Sequence, residues 1–292
     1  MIYELGPQYN MDFPFKATAR LHQSRYRAKV LQVDYDEYGS RLSERDGRRL
    51  LNYYNGMNVR ETLRIRYPNY SKNRDANMLR SEHIPFNLFS PLVSDNKLAL
   101  SMLEKAFHIK AKKVTRIEFE LAPKPIEYYL NDGTAFDIYI EYLNSKNEHA
   151  GLGIEVKYTE RDYPLKDRER KNIGDPNSRY WEQTRTSGLF NDPTASVLGS
   201  DPLRQIWRNH LLGLSMIDKD DIMHFSSITL FPDGNKHFRE IIPKYQSLLK
   251  DGNKNLVWGC TYEKYINAIS GGKAILEWKQ YLEERYLINQ VE

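Results

Sequence analysis

Thr134 to Glu160 reads TAFDIYIEYLNSKNEHAGLGIEVKYTE, two alternating segments joined by a polar turn. In Ala135 to Leu143, Phe136, Ile138 and Ile140 alternate with Asp137, Tyr139 and Glu141, the period of a half-buried strand. Gly153 to Thr159 alternates in the same way, Ile154 and Val156 against Glu155, Lys157 and Thr159. Asn144 to His149 is rich in turn formers, so the simplest connection is a hairpin. Symmetry about Lys146 puts Asp137 opposite Glu155 and Tyr139 opposite Gly153, since 137 + 155 and 139 + 153 both equal 292. Like charges held opposite one another destabilise a sheet. Lys157, two residues along on the same face, offsets part of that repulsion, and a hard divalent cation bridging the two carboxylates would offset the rest.

An Asp on one strand followed by Glu155-Val156-Lys157 on the next resembles the PD-(D/E)XK nuclease superfamily. The proline that precedes the Asp in that motif is replaced here, where Ala135 and Phe136 stand. Within the superfamily the chain resembles a bacterial group of restriction-endonuclease-like proteins. The residues that carry this are Ser81-Glu82 with Phe86-Asn87-Leu88-Phe89, the run Glu155 to Glu160, and Gln205 followed by Arg208-Asn209-His210. The resemblance extends from about Arg80 to Ile217 and implies a restriction-endonuclease-like fold.

Composition sets the outer bounds. A chain of 292 residues, 40% hydrophobic and 28% charged, has room for a sizeable core, in one large domain or a core with a helical extension. No apolar run approaches the ~18–20 residues that span a bilayer, and the start Met-Ile-Tyr-Glu-Leu-Gly-Pro lacks the pattern of a signal peptide. The single cysteine, Cys260, excludes an intrachain disulfide and points to a reducing, cytoplasmic compartment; its apolar neighbours make it a buried structural thiol. The seven histidines form no metal-binding spacing, so structural zinc is not expected. Neither a phosphate-binding Gly-rich loop nor a Gly-X-Ser-X-Gly elbow occurs.

Charge is unevenly spread. Residues 1 to 80 hold 15 Lys and Arg against 9 Asp and Glu, an excess of six in a chain whose net charge is +4. Tyr26, Tyr35, Tyr38, Tyr53, Tyr54, Tyr67 and Tyr70 are interleaved with those cations. Two readings fit equally: a surface that neutralises phosphates and stacks on bases, or a solvated helical face over half-buried tyrosines. Residues 1–75 are therefore expected to form a basic, tyrosine-rich helical extension, and 76–292 the nuclease-like core.

In chain order, Met1 to Phe15 reads as irregular, broken by Pro7 and Pro14. Helices are expected over Ala17–Val33, from Ser43 to about Tyr54, over Asp75–Leu88 with a disturbance at Pro85, and over Lys97–Phe107. Val114–Leu121 reads as a strand ahead of the hairpin, Arg161 to Pro176 as a charged loop, and Leu203–Ile217 as a helix with Gln205, Arg208 and Asn209 off its apolar stripe. A strand over His224–Phe231, a helix over His237–Leu249, a short strand over Leu256–Thr261 and a helix over Ile275–Tyr286 complete the pattern. Helices, then three strands, then alternation predict an α/β fold, a mixed sheet flanked by helices. Asp132-Gly133 and Asp233-Gly234 read as turns, and Gly151 and Gly153 as points of close backbone approach or room for Tyr139.

The resemblance implies a metal-dependent nuclease hydrolysing DNA, an endonuclease of restriction or defence type. Mg²⁺ or Mn²⁺ would be held by Asp137, Glu155 and the backbone carbonyl of Val156, with Glu82 extending the acidic set. Lys157 would orient the attacking water or hold the scissile phosphate, and Gln205 and Arg208 would lean on the metal water or the phosphate. Arg161, Lys166, Arg168 and Arg208 are the expected contacts to a phosphodiester backbone. Many enzymes of this fold pair up to cut both strands, so a homodimer belongs to the same expectation. The competing reading is a catalytically inactive nucleic-acid-binding protein on the nuclease fold.

Overall fold

The structure, a computed structural model, describes residues 3–161 and 163–288. Met1, Ile2 and Asp162, which belong to segments read above as irregular and as a loop, lie outside the described residues.

The helices are α1 (Pro14–Tyr26), α2 (Glu44–Arg48), α3 (Val59–Arg66), α4 (Ile84–Val93), α5 (Asn96–Phe107), α6 (Asp167–Gly174), α7 (Arg179–Thr186), α8 (Arg204–Asp218), α9 (Lys236–Gln246), α10 (Tyr262–Ala268) and α11 (Lys273–Tyr286). The strands are β1 (Lys113–Leu121), β2 (Phe136–Leu143), β3 (His149–Val156), β4 (His224–Phe231) and β5 (Val257–Thr261). They form one mixed sheet in the order β1-β2-β3-β4-β5. β1, β2 and β3 form an antiparallel meander, while β4 adds in parallel to β3 and β5 to β4 through crossovers that carry helices. This is the α/β, restriction-endonuclease-like arrangement that the sequence predicts.

The hairpin register is the predicted one, with Tyr139 paired with Gly153 and Ile138 with Ile154. Small residues are required where Tyr139 and Phe136 pack: a Cβ on Gly151 would lie 2.7 Å from the Tyr139 hydroxyl, and one on Gly153 2.6 Å from the Phe136 ring. One sheet face carries Ile138, Ile140, Leu152, Ile154 and Val156 into a core shared with α4, α5, α10 and α11, which also takes in Ala19, Tyr53, Val59 and Leu63 from the first 75 residues. The other face packs Tyr139, Phe225 and Phe231 against Trp207, Leu211 and Leu214 of α8. Cys260 is buried, and burial pushes its thiol up to about 12.

Several expectations are corrected. β3 starts at His149 and ends at Val156, so Lys157 lies one residue beyond the strand, where its N–H still donates to the Leu230 carbonyl at 2.8 Å. Pro14 does not break α1 but occupies its first turn, and Pro85 likewise sits in the first turn of α4; there the missing N–H costs no helical hydrogen bond. The helix expected over Asp75–Leu88 accordingly begins only at Ile84, and Glu82 stands in the tight turn Ser81–His83 before it. Half of the charged loop is α6, whose Asp167 and Glu169 lie in the first turn and Lys171 in the last, the order that the helix dipole favours. The prolines of that segment, Pro164 and Pro176, flank the helix rather than interrupt it.

Of the seven interleaved tyrosines, Tyr26 and Tyr53 are buried, and Tyr54 and Tyr67 pack against the larger core. Tyr35, Tyr38 and Tyr70 lie beneath the guanidinium groups of Arg27, Arg20 and Arg48. Most of that aromatic surface is spent inside the protein.

Candidate active site

Three carboxylates from three adjacent strands meet at one end of the sheet, on the face covered by α8. Glu155 is the penultimate residue of β3 and Asp137 the second of β2, each one step past the Ile138–Ile154 pair. Phe119 pairs with Ile138 and Leu121 with Phe136, which brings Glu120 of β1 level with Asp137. Glu120 occupies the left-handed region, φ +54°, and Arg66 clamps the local backbone by donating to the Phe119 carbonyl at 3.1 Å and the Glu120 carbonyl at 3.3 Å. All three carboxylates, with Lys157, line a groove of about 570 Å³.

The hydrogen bonds fix the orientation of each group. One Asp137 oxygen accepts the Val156 N–H at 2.7 Å, so the two arms of the hairpin are tied through the acid itself. Lys157 Nζ donates to Glu155 Oε1 at 2.7 Å. From α8, Gln205 donates to the same oxygen and Asn209 to Glu155 Oε2 at 2.8 Å. Residues 205 and 209 are one helical turn apart and so share a face. Behind Lys157, the Tyr262 hydroxyl donates to its carbonyl at 2.7 Å, and Asn235 donates to the carbonyls of Tyr158 and Glu160 at 3.1 Å. Glu160 turns back to accept the N–H groups of Ser81, at 2.9 Å, and Tyr158.

Electrostatics follow from crowding. Burial and the neighbouring Glu155 and Glu120 push the Asp137 carboxyl well above its usual range, although Lys157 and the Val156 N–H oppose them. Burial and Glu155 raise Glu120 to about 7. Burial disfavours the Lys157 ammonium, but Glu155 and Asp137 outweigh it and hold the amine above its ordinary pKa. Lys157 is therefore a cation at neutral pH, able to donate hydrogen bonds and neutralise charge but not to act as a base.

The donor set suits a hard divalent cation. It is made of oxygen alone, and its repulsion is the kind that such an ion relieves. Among the described residues no three His, Cys, Asp or Glu side chains are already arranged about one ion position. Asp137, Glu155 and the Val156 carbonyl are the groups that would hold such a cation.

The remaining expected residues separate. Glu82 lines the groove but is exposed and pairs with Arg80 at 2.5 Å. Lys166 lines it too, exposed, from the segment ahead of α6. Arg161 stacks 3.8 Å above the Phe13 ring in an adjoining cleft, and Arg168 opens onto a separate pocket beside Asn131 and Glu182. Arg208 reaches the groove wall with its donors already taken, by Tyr180 at 2.8 Å, Asp132 at 2.9 Å, Thr134 at 2.8 Å, Tyr163, and Glu169 at 3.2 Å.

Sequence reasoning missed three participants. Glu120 lies within the strand read over Val114–Leu121, where nothing local marks it as part of a site. Asp132 read as a turn residue, yet although burial opposes its charge, Arg208 and the hydroxyls of Thr134 and Tyr180 hold its carboxyl below the usual range. Asn209 was quoted in a motif without a role, though its distance of four from Gln205 is the signal that could have found it.

The family model of the PD-(D/E)XK nuclease superfamily matches residues 10–288, and the chain belongs to that superfamily. The match reaches well into the first 75 residues as well as the hairpin. Comparison with curated proteins and with solved structures gave no match.

Proposed function

We propose that this protein is a Mg²⁺- or Mn²⁺-dependent nuclease that hydrolyses DNA phosphodiester bonds, an endonuclease of restriction or defence type. The observation that carries the reading is the crowding of Glu120, Asp137 and Glu155 at the groove floor, where among the described residues Lys157 is the one cation within ion-pair distance of them, at Glu155. A divalent cation between these carboxyls would relieve the repulsion that raises Asp137 and Glu120. Bound there, such an ion supplies a polarised water near neutral pH and stabilises charge on the phosphoryl oxygens.

The chain's own residues then have distinct tasks. Asp137 and Glu155 present carboxylate oxygens, and the Val156 N–H fixes the rotation of Asp137. Gln205 and Asn209 hold Glu155 from α8, leaving Lys157 free to exchange its Glu155 contact for a phosphate oxygen or the attacking water. Glu120 adds negative charge beside Asp137, and Lys166 stands exposed at the rim, available to a phosphate. Arg208, pinned from several sides, shapes the wall as a positioning residue. The restriction or defence role and pairing of two copies rest on the resemblance alone. The cytoplasmic assignment rests on the free thiol of Cys260; no helix among the described residues is long and apolar enough to cross a membrane.

The test is a cleavage assay on supercoiled, linear, single-stranded and branched DNA with Mg²⁺, Mn²⁺ or EDTA, for wild type, Asp137→Ala and Lys157→Ala. Cutting that needs metal and disappears in both variants supports the reading. Binding without cutting on every substrate would replace it with the inactive nucleic-acid-binding protein.

A further inference from the structure

Beside the acidic groove lies a second cleft of about 520 Å³ with the opposite charge. It is lined by Lys16, Arg20, Arg41, Arg80 and Arg161, against the single carboxylate of Glu160. Glu160 is already engaged by two backbone N–H groups. Arg80 and Glu160 line both cavities, so the two adjoin.

Three features separate this cleft from an ordinary solvated face. Its cations come from segments far apart in sequence, α1, the Arg41 bridge, the turn before α4 and the exit of β3, so the fold gathers them. Two of them lie flat on rings: Arg161 is 3.8 Å above Phe13, and Arg20 4.9 Å above Tyr38. Among the described residues, no carboxylate lies within ion-pair distance of Arg161, whereas Lys16, Arg20, Arg41 and Arg80 have partners in Asp12, Glu37 and Glu82. Arg20 already donates to Asp12 and Ser40, so the guanidinium left to take phosphate oxygens or stack under a base is that of Arg161 over the Phe13 ring.

We propose that this cleft binds the single-stranded stretch of a polynucleotide that continues from the phosphate seated in the acidic groove, which rests on the nuclease reading above. The lining argues for one strand, because guanidinium faces stack only on bases that are unpaired and exposed, which a duplex keeps inside. The favoured substrate class is therefore DNA with an unpaired segment beside the cut.

The probe is a labelled single-stranded oligothymidylate, its binding followed by fluorescence anisotropy in EDTA over a range of salt concentrations. The proteins are wild type, Arg161→Ala, and the triple variant Lys16→Ala/Arg41→Ala/Arg161→Ala, with thermal melting to verify folding. The triple variant is expected to bind at least about tenfold more weakly, and the slope of log K against log salt to shrink by about 2, roughly 0.7 for each lost phosphate contact. Arg161→Ala, a change at an exposed side chain, carries about a third of the slope change and serves alone should the triple variant not fold. Unchanged affinity and slope in a folded variant would overturn the assignment. So would a duplex of the same length that binds as tightly as the single strand and loses as much. Because binding is read without metal, strong variant-sensitive binding with no cutting under Mg²⁺ would leave the cleft standing and remove the nuclease reading. Normal cutting with unimpaired binding by the triple variant would do the reverse.

Discussion

Beside the groove the carboxylates of one wall each have a cation, Arg208 pairing with Asp132 and Glu169 and Arg204 with Glu169 and Asp201, whereas on the floor Lys157 pairs with Glu155 and, among the described residues, leaves Asp137 and Glu120 without an ion-pair partner. Both clusters are largely withdrawn from water, so each is governed by whether its charges are paired. The wall pairs each of its carboxylates with an arginine and fixes α8 against the segment around Asp132. The floor is incomplete, and its raised carboxyl pKa values measure that. Two neighbouring assemblies of the same residue types thus differ because one pairs each of its carboxylates with a cation and the other does not.

The sharpest way to break this contrast is to remove one charge from each. On the wall, Arg208→Ala leaves the buried Asp132 carboxylate without its cation, while Glu169 keeps Arg204, and is expected to destabilise the fold by about 3 kcal/mol, read by chemical denaturation. On the floor, Asp137→Asn in metal-free protein removes repulsion and is expected to stabilise, on the order of 1 kcal/mol or about 2 °C in Tm. Added Mg²⁺ should raise the Tm of wild type and leave that of Asp137→Asn unmoved. Equal destabilisation by both changes would show that the floor is as balanced as the wall.

A smaller effect concerns pH. Glu120 has a folded-state pKa of about 7 against an ordinary 4.5, so the folded protein binds the extra proton. Its stabilisation is complete below the unfolded value and is lost as pH rises through 7. The buried histidines act oppositely but lower down. Burial lowers His22 to about 4, His210 to about 3 and His83 well below its ordinary value, so their contribution is complete above about 6.5. Between pH 6.5 and 8 the metal-free Tm should therefore fall, and Glu120→Gln should flatten that fall. A Tm rising across that window in wild type would contradict the crowding of the floor.

The smallest expected change is at Glu82, whose exposed pair with Arg80 contributes little to folding. Glu82→Ala should alter stability by less than about 0.5 kcal/mol. Its effect on the metal dependence of cutting then reports on the active site alone, which makes it the cleanest probe of whether this acid joins the other three.

The sequence by itself determined the hairpin, its register, the placing of Asp137, Glu155 and Lys157, and the polar face of α8. Each rests on a local period, two for strands and 3.6 for helices, so neighbouring side chains reveal which face they take. Tertiary structure alone decided three matters. Glu120 joined the acids because β1 pairs with β2 in a register that no local pattern states. Asp132 became the counterion of Arg208, 76 residues away, through packing of α8 on the sheet. The basic cleft arose where α1, Arg41, Arg80 and Arg161 converge. Electrostatic partnership depends on distance in space, and sequence spacing reports that distance only within one strand, one helix or one turn.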